Sequence, residues 1–191
     1  MRQLHQFDEV FDSQETFRII LEAMANPTRI LSVKKAADKL YGDHKAMLAV
    51  AMTLLDNETT FCVCGDAALK EQITLLTHAK ESPAAEAEFV FVTKDEKLAA
   101  DIEDFMCGTL EDPHKSATVI VEITEEKEKH LVFCGPGIKD CVEINTAKQV
   151  DEAVELRDAQ AYEYPQGIDF LFLTAAGGLF GIPRLVKKQR G

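Results

Sequence analysis

The chain lacks any excess of positive charge. Its 191 residues carry 33 acidic against 21 basic side chains, a formal net charge of −12. A diffuse negative field of this kind repels nucleic acid, whose binders neutralise phosphates with clustered Lys and Arg. Anionic ligands stay open only for a pocket where a few local cations outweigh the field. Long apolar runs are missing as well. The most apolar stretch, 168–182, holds Asp169, Thr174 and the Gly177-Gly178 pair, and it is shorter than the roughly 20 residues a membrane span needs. The opening residues MRQLHQFDEVFDSQ turn acidic without the apolar segment of a secretory signal, so the expected location is cytoplasmic.

There is no Cys-x-x-Cys pair and no close set of Cys and His ligands, so no metal is expected. The five cysteines, Cys62, Cys64, Cys107, Cys134 and Cys141, are odd in number and follow no secretion signal, which argues against a disulfide framework. They are predicted to be reduced core thiols, with Cys62 and Cys64 on one face of a strand. Serine-hydrolase elbows, zinc-protease helices and both glycine-rich nucleotide signatures are absent. No catalytic residue is assigned on these grounds.

The hydrophobic pattern that is present alternates between helix and strand periods. A helix is predicted to start near Ser13 behind an Asp12–Glu15 capping box and to bury Phe17, Ile20, Leu21 and Met24, until Asn26-Pro27 stops it. A nearly all-apolar helix over 44–55 should be central. Strands are predicted over 59–64, 89–92, 118–123 and 131–134, the last two joined by a charged turn, and helices over 67–78 and 95–106. The helix predicted over 152–160, with Asp151 just before it, carries Glu155 and Arg157 on what reads as a solvated face. A hairpin of 168–173 with 179–182 closes near Gly177-Gly178. The fold class is α/β: one domain over 1–191, a mixed sheet flanked by helices, with antiparallel additions at its C-terminal end.

Several turns stand out. Gly135-Pro136-Gly137-Ile138 follows a strand and reads as a tight turn, since proline removes one of the backbone donors a phosphate cradle would need. Tyr164-Pro165-Gln166-Gly167-Ile168-Asp169 puts a carboxylate at the start of an apolar strand, where it must find a partner if buried. Arg184, after Ile182-Pro183, is either that partner or an anion-binding guanidinium. Arg18 and Arg29, near the first helix, are further candidate cations. Arg18, Asp169 and Arg184 form the candidate ligand site, with Asp169 orienting or structural and the arginines binding anion. Glu111-Asp112-Pro113-His114 reads as an exposed loop.

These segments, in order, resemble the PhnH family, the H subunits of bacterial carbon–phosphorus lyase. The resemblance rests on Phe11-Asp12-Ser13-Gln14 with Phe17-Arg18, on Ala23-Met24-Ala25-Asn26-Pro27, and on Thr53-Leu54-Leu55-Asp56-Asn57-Glu58-Thr59. It continues through Gly108-Thr109 with Ser116-Ala117-Thr118, the Gly-Pro-Gly-Ile turn, and the Tyr-Pro-Gln-Gly-Ile-Asp turn with Ile182-Pro183-Arg184. Thr28 stands where the family often has glycine, and Tyr164 where it commonly has Phe. The resemblance implies a fold similar to pyridoxal-phosphate-dependent transferases but without that cofactor. It also implies a homodimer joined to G, I and J subunits, and a part in the step where an alkylphosphonate displaces adenine from ATP to give a ribose 1-phosphonate 5-triphosphate. It implies no catalytic role for the subunit alone. An independent small-molecule transferase and a catalytically silent phosphonate or nucleotide binder remain as alternatives. Lys94, the lysine best placed for a Schiff base, reads as part of a solvated turn, so no cofactor is expected.

Overall fold

The computed structural model describes residues 5–96, 98 and 102–189. A seven-stranded sheet has the order β1-β9-β8-β5-β4-β2-β3. Its members are β1 (Leu31–Ser32), β2 (Thr60–Cys64), β3 (Lys80–Glu81), β4 (Phe89–Val92), β5 (Thr118–Ile123), β8 (Asp169–Thr174) and β9 (Gly178–Ile182). From β8 to β3 all neighbours are parallel, while β9 and β1 continue the sheet antiparallel. The expected hairpin is therefore present, and the mixed sheet flanked by helices is the observed architecture. A second, antiparallel sheet has the order β10-β6-β7, made of β6 (Lys129–Cys134), β7 (Cys141–Thr146) and β10 (Lys187–Lys188).

Side-chain alternation along the central strands feeds two hydrophobic cores. Phe61, Phe91, Ile120 and Leu171 face α1 (Phe11–Ala25), α2 (Lys34–Ala37), α3 (Lys45–Leu54) and α4 (Ala67–Thr77). Val90, Val119, Val121, Phe170 and Phe172 face the other way, toward α5 (Lys148–Asp158) and the small sheet. α3 is central as its composition predicts, with Ala46 through Ala51 all buried. No helix among the described residues is long and apolar enough to cross a membrane.

Five expectations need correction. First, α1 begins at Phe11 rather than near Ser13. The Asp8 carboxylate accepts from the Val10 and Phe11 amides at 2.9 and 2.8 Å, while Asp12 is buried and takes Lys39 at 2.7 Å. Second, its buried residues are Asp12, Thr16, Ile20 and Ala23, whereas Phe17 and Leu21 are exposed. The helix lies too close to β9 for a bulky stripe. A Cβ at Gly181 would stand 2.9 Å from the Ala23 carbonyl oxygen, so only small groups fit the contact.

Third, Cys134 and Cys141 are not reduced thiols. They face each other in the β6–β7 register and form a disulfide with Cα atoms 4.5 Å apart, a separation that directly opposed strand positions supply. Cys62 and Cys64 do pack from one face of β2 against the second core. Fourth, the strand β7 was not expected; it pairs with β6 in the second sheet. Fifth, Arg157 on α5 is fully buried rather than solvated. Its guanidinium donates to the Ile182, Pro183 and Val186 carbonyls at 3.2, 3.2 and 2.5 Å, pairs with Asp158 at 3.0 Å, and lies 5.5 Å from the Phe170 ring centre. Burial pulls its pKa down, and Asp158 opposes that pull. The helix predicted over 95–106 falls partly outside the described residues; Asp95 and 102–104 are in turns.

Thr28 is buried with φ at 69° and donates its amide to the Gly181 carbonyl at 3.0 Å. A β-branched residue in that left-handed region costs about 1–2 kcal/mol, and glycine returns about 0.5–1 kcal/mol of that as chain entropy. Thr28→Gly is therefore expected to raise stability by up to about 1 kcal/mol in urea denaturation. A loss of stability would show that the threonine side chain contributes packing that outweighs its backbone strain.

Candidate functional site

β8 opens on Asp169, and its antiparallel neighbour β9 runs Phe170 opposite Ile182. That register brings the residues following β9 back to the start of β8. The Arg184 amide donates to Asp169 Oδ1 at 2.7 Å, and its Nε reaches Oδ1 and Oδ2 at 3.3 and 3.1 Å. One terminal nitrogen donates to the Pro113 and Pro165 carbonyls at 2.8 and 3.4 Å, and the other to Asp169 and the Ser116 hydroxyl. A guanidinium has five N–H groups, and here each has an acceptor inside the protein. Both charged side chains are mostly buried. Of the two readings the sequence left for Arg184, the geometry builds the partner of Asp169. A bound anion would have to displace one of these acceptors.

The clasp forms the floor of a hollow of about 550 Å³. Met24-Ala25 at the end of α1, Pro113-His114, Pro136-Gly137, Tyr164-Pro165 and Pro183 to Val186 wall it. The turns singled out in the sequence thus converge here from five separate places in the chain. Gln166 Nε2 donates to the Gly108 carbonyl at 2.9 Å, and the Gly167 amide to that of Cys107 at the same distance. These bonds fasten the Tyr-Pro-Gln-Gly turn to the strand-end loop. Tyr164 is 77% exposed at the rim. Arg18 lies on the exposed face of α1, about two turns before Met24-Ala25 and outside the walls of the hollow. Arg29 pairs with Glu22 at 2.6 Å, both exposed.

A second constellation escaped the sequence reading. It lies at the other end of the sheet, because Thr118 pairs with Asp169 while Glu122 pairs with Leu173, a separation of about 13 Å along the strands. His44, just before α3, places Nδ1 2.9 Å from Glu122 Oε2 and Nε2 3.3 Å from Asp66 Oδ2. The Glu122 side chain is 3% exposed. Asp66 caps α4 by accepting from the Ala68 and Leu69 amides at 2.6 and 2.9 Å. The Leu69 amide is the main cause that holds the Asp66 pKa below the usual carboxylate range, against the effect of burial. The signal was present in the sequence: a carboxylate inside TVIVEI must find a partner, the same argument that linked Asp169 to Arg184. Among the described residues no group of three or more His, Cys, Asp and Glu could hold a metal ion.

The family model for bacterial phosphonate metabolism protein (PhnH) matches residues 5–189. The alpha-D-ribose 1-methylphosphonate 5-triphosphate synthase subunit PhnH of Rhizobium meliloti (strain 1021) is 31% identical over 188 residues, covering 96% of this chain and 93% of that protein.

Proposed function

Because the chain belongs to the PhnH family of bacterial phosphonate metabolism proteins, we propose that it is a subunit of a multi-subunit synthase of the kind named for its Rhizobium meliloti relative. In this reading it acts where an alkylphosphonate is coupled to the ribose triphosphate of ATP, and it acts mainly as a scaffold. It works in the cytoplasm as a homodimer joined to G, I and J subunits. Its sheet-and-helix architecture is a variant of the pyridoxal-phosphate transferase type that does not use the cofactor. Lys94, the lysine nearest that role, is exposed in the turn after β4.

The observation that carries the scaffold reading is the engaged guanidinium of Arg184. The family's turns converge on a hollow whose built-in cation already has an acceptor for every N–H. What the hollow offers outward is chiefly proline, Leu185, Met24 and the Tyr164 ring, with His114 as the one exposed imidazole among its described walls, a composition nearer a protein-facing surface than an anion pocket. Asp169 and Arg184 serve it by fixing its walls, and Arg18 adds a cation on the adjoining helix face.

Co-expression of the tagged chain with the other synthase subunits of its own genome, followed by light scattering, tests this. A stable multi-subunit particle is the expected result. A lone dimer beside soluble partners would instead support an independent transferase or a silent ligand binder.

A further inference from the structure

Cys134 closes β6 and Cys141 opens β7, and they meet across the ladder as a disulfide. The bridge encloses Gly135-Pro136-Gly137-Ile138-Lys139-Asp140, a loop that walls the hollow through Pro136 and Gly137. Cys141 is exposed and Cys134 half-buried, so the bond is open to attack from solvent. Exposed disulfides are the labile and regulatory ones, and in the reducing cytoplasm proposed above they are mostly transient and redox-sensing.

The enclosed loop has few other ties. The Ile138 amide donates to the Gly135 carbonyl at 3.1 Å, and among the described residues this is the one backbone hydrogen bond of residues 136–140 outside the ladder. Asp140, directly before Cys141, is held at φ 63°, a region that side-chain-bearing residues seldom occupy. The loop nonetheless fits closely. A Cβ at Gly137 would stand 2.8 Å from the Ala25 carbonyl oxygen, and one at Gly135 2.8 Å from that of Leu185. It is therefore wedged between the end of α1 and the segment after β9, which both wall the hollow. Loosening it shifts a wall, while β6 keeps β10 and β7 as neighbours, so the change stays local.

We propose that Cys134–Cys141 is a reversible redox latch on the hollow. Bridged, it holds the loop as a wall of the hollow; reduced, it frees the loop and weakens docking there, a consequence that rests on the reading of the hollow as partner-facing. Reduction runs by thiol–disulfide exchange with a dithiol. One thiolate of the reductant attacks Cys141 Sγ, the S–S bond breaks, and Cys134 leaves as a thiolate that takes up a proton. The second thiolate attacks the reductant's own sulfur in the mixed disulfide and releases Cys141, which is protonated in turn. The protein gains two electrons and two protons, and the reductant leaves as its internal disulfide.

The test compares the full oxidised chain with the chain treated with dithiothreitol, using thiol alkylation to read the bond and amide hydrogen exchange to read the loop. The expected result is reversible opening, with Ile138 exchange about tenfold faster and the Phe172 amide in the central sheet unchanged. The double variant Cys134→Ser, Cys141→Ser fixes the open form without reductant. It should exchange like the reduced chain and lower recovery of the synthase particle about threefold, because the loop must then be ordered on docking. A bond that dithiothreitol does not open, equal Ile138 exchange in both forms, or a dithiothreitol effect that persists in the double variant overturns the latch. Equal particle recovery from the oxidised chain and the variant overturns its part in assembly. No particle from either sinks the scaffold reading instead, and loop exchange alone then decides the latch.

Discussion

Replacing Arg157 with methionine is expected to cost about 3–5 kcal/mol of folding stability. The side chain is completely buried, and its guanidinium bridges α5 to three carbonyls, that of Ile182 at the end of β9 and those of Pro183 and Val186 just after it. Methionine fills part of the volume but takes the guanidinium donors from the Ile182 and Val186 carbonyls, while the Pro183 carbonyl keeps the Val186 amide and Asp158 keeps Lys187. Each unsatisfied buried group costs about 1–3 kcal/mol. Lysine in its place should recover only part of the loss, because one ammonium cannot reach three diverging acceptors from the Arg157 position. Urea denaturation of the two variants reads this out. A change under about 0.5 kcal/mol, as expected of a solvated surface residue, would show that α5 does not seat its arginine as described.

The second large effect is expected at Arg184. Its removal leaves Asp169 half-stripped of partners in a mostly buried position, which costs about 3–5 kcal/mol. It also unties three further attachment points, the Pro113 and Pro165 carbonyls and the Ser116 hydroxyl. Arg184→Ala should therefore lower stability and loosen the walls of the hollow together. Arg184→Lys keeps the charge but not the fork, and should fall between. A melting curve must accompany any assembly or activity measurement on these variants. If Arg184→Ala melts like the parent chain, the clasp is not structural, and the guanidinium regains its candidacy as an anion-binding group.

The parts of this molecule legible in the sequence were those set by local pattern or by a forced pairing. β4 and β5 carry enough consecutive β-branched and aromatic residues to define their bounds, and α3 is apolar all round because helices and sheet surround it. Asp169 and Arg184 could be paired because a carboxylate opening an apolar strand has few options. What stayed hidden depended on long-range approach. The buried face of α1 is decided by Gly181 on β9, 157 residues after Met24, and nothing within the helix encodes that contact. Arg157 read as surface because its acceptors are backbone carbonyls, which leave no mark in a sequence. The Cys134–Cys141 bridge follows from the β6–β7 register, whereas counting cysteines pointed the other way. His44, Asp66 and Glu122 are far apart in the chain, and only the parallel strand order brings them together.

The central claim is that the hollow above the Asp169–Arg184 clasp faces a partner subunit. Tyr164 tests it most directly, because it is 77% exposed and its replacement should leave the fold intact. With Tyr164→Arg co-expressed beside the other synthase subunits, the account predicts an unchanged melting curve. It also predicts recovery of complex reduced to about a tenth or less, the effect of losing an aromatic anchor at an interface centre. Recovery of the full particle by the variant would contradict it and move the partner surface elsewhere on the molecule.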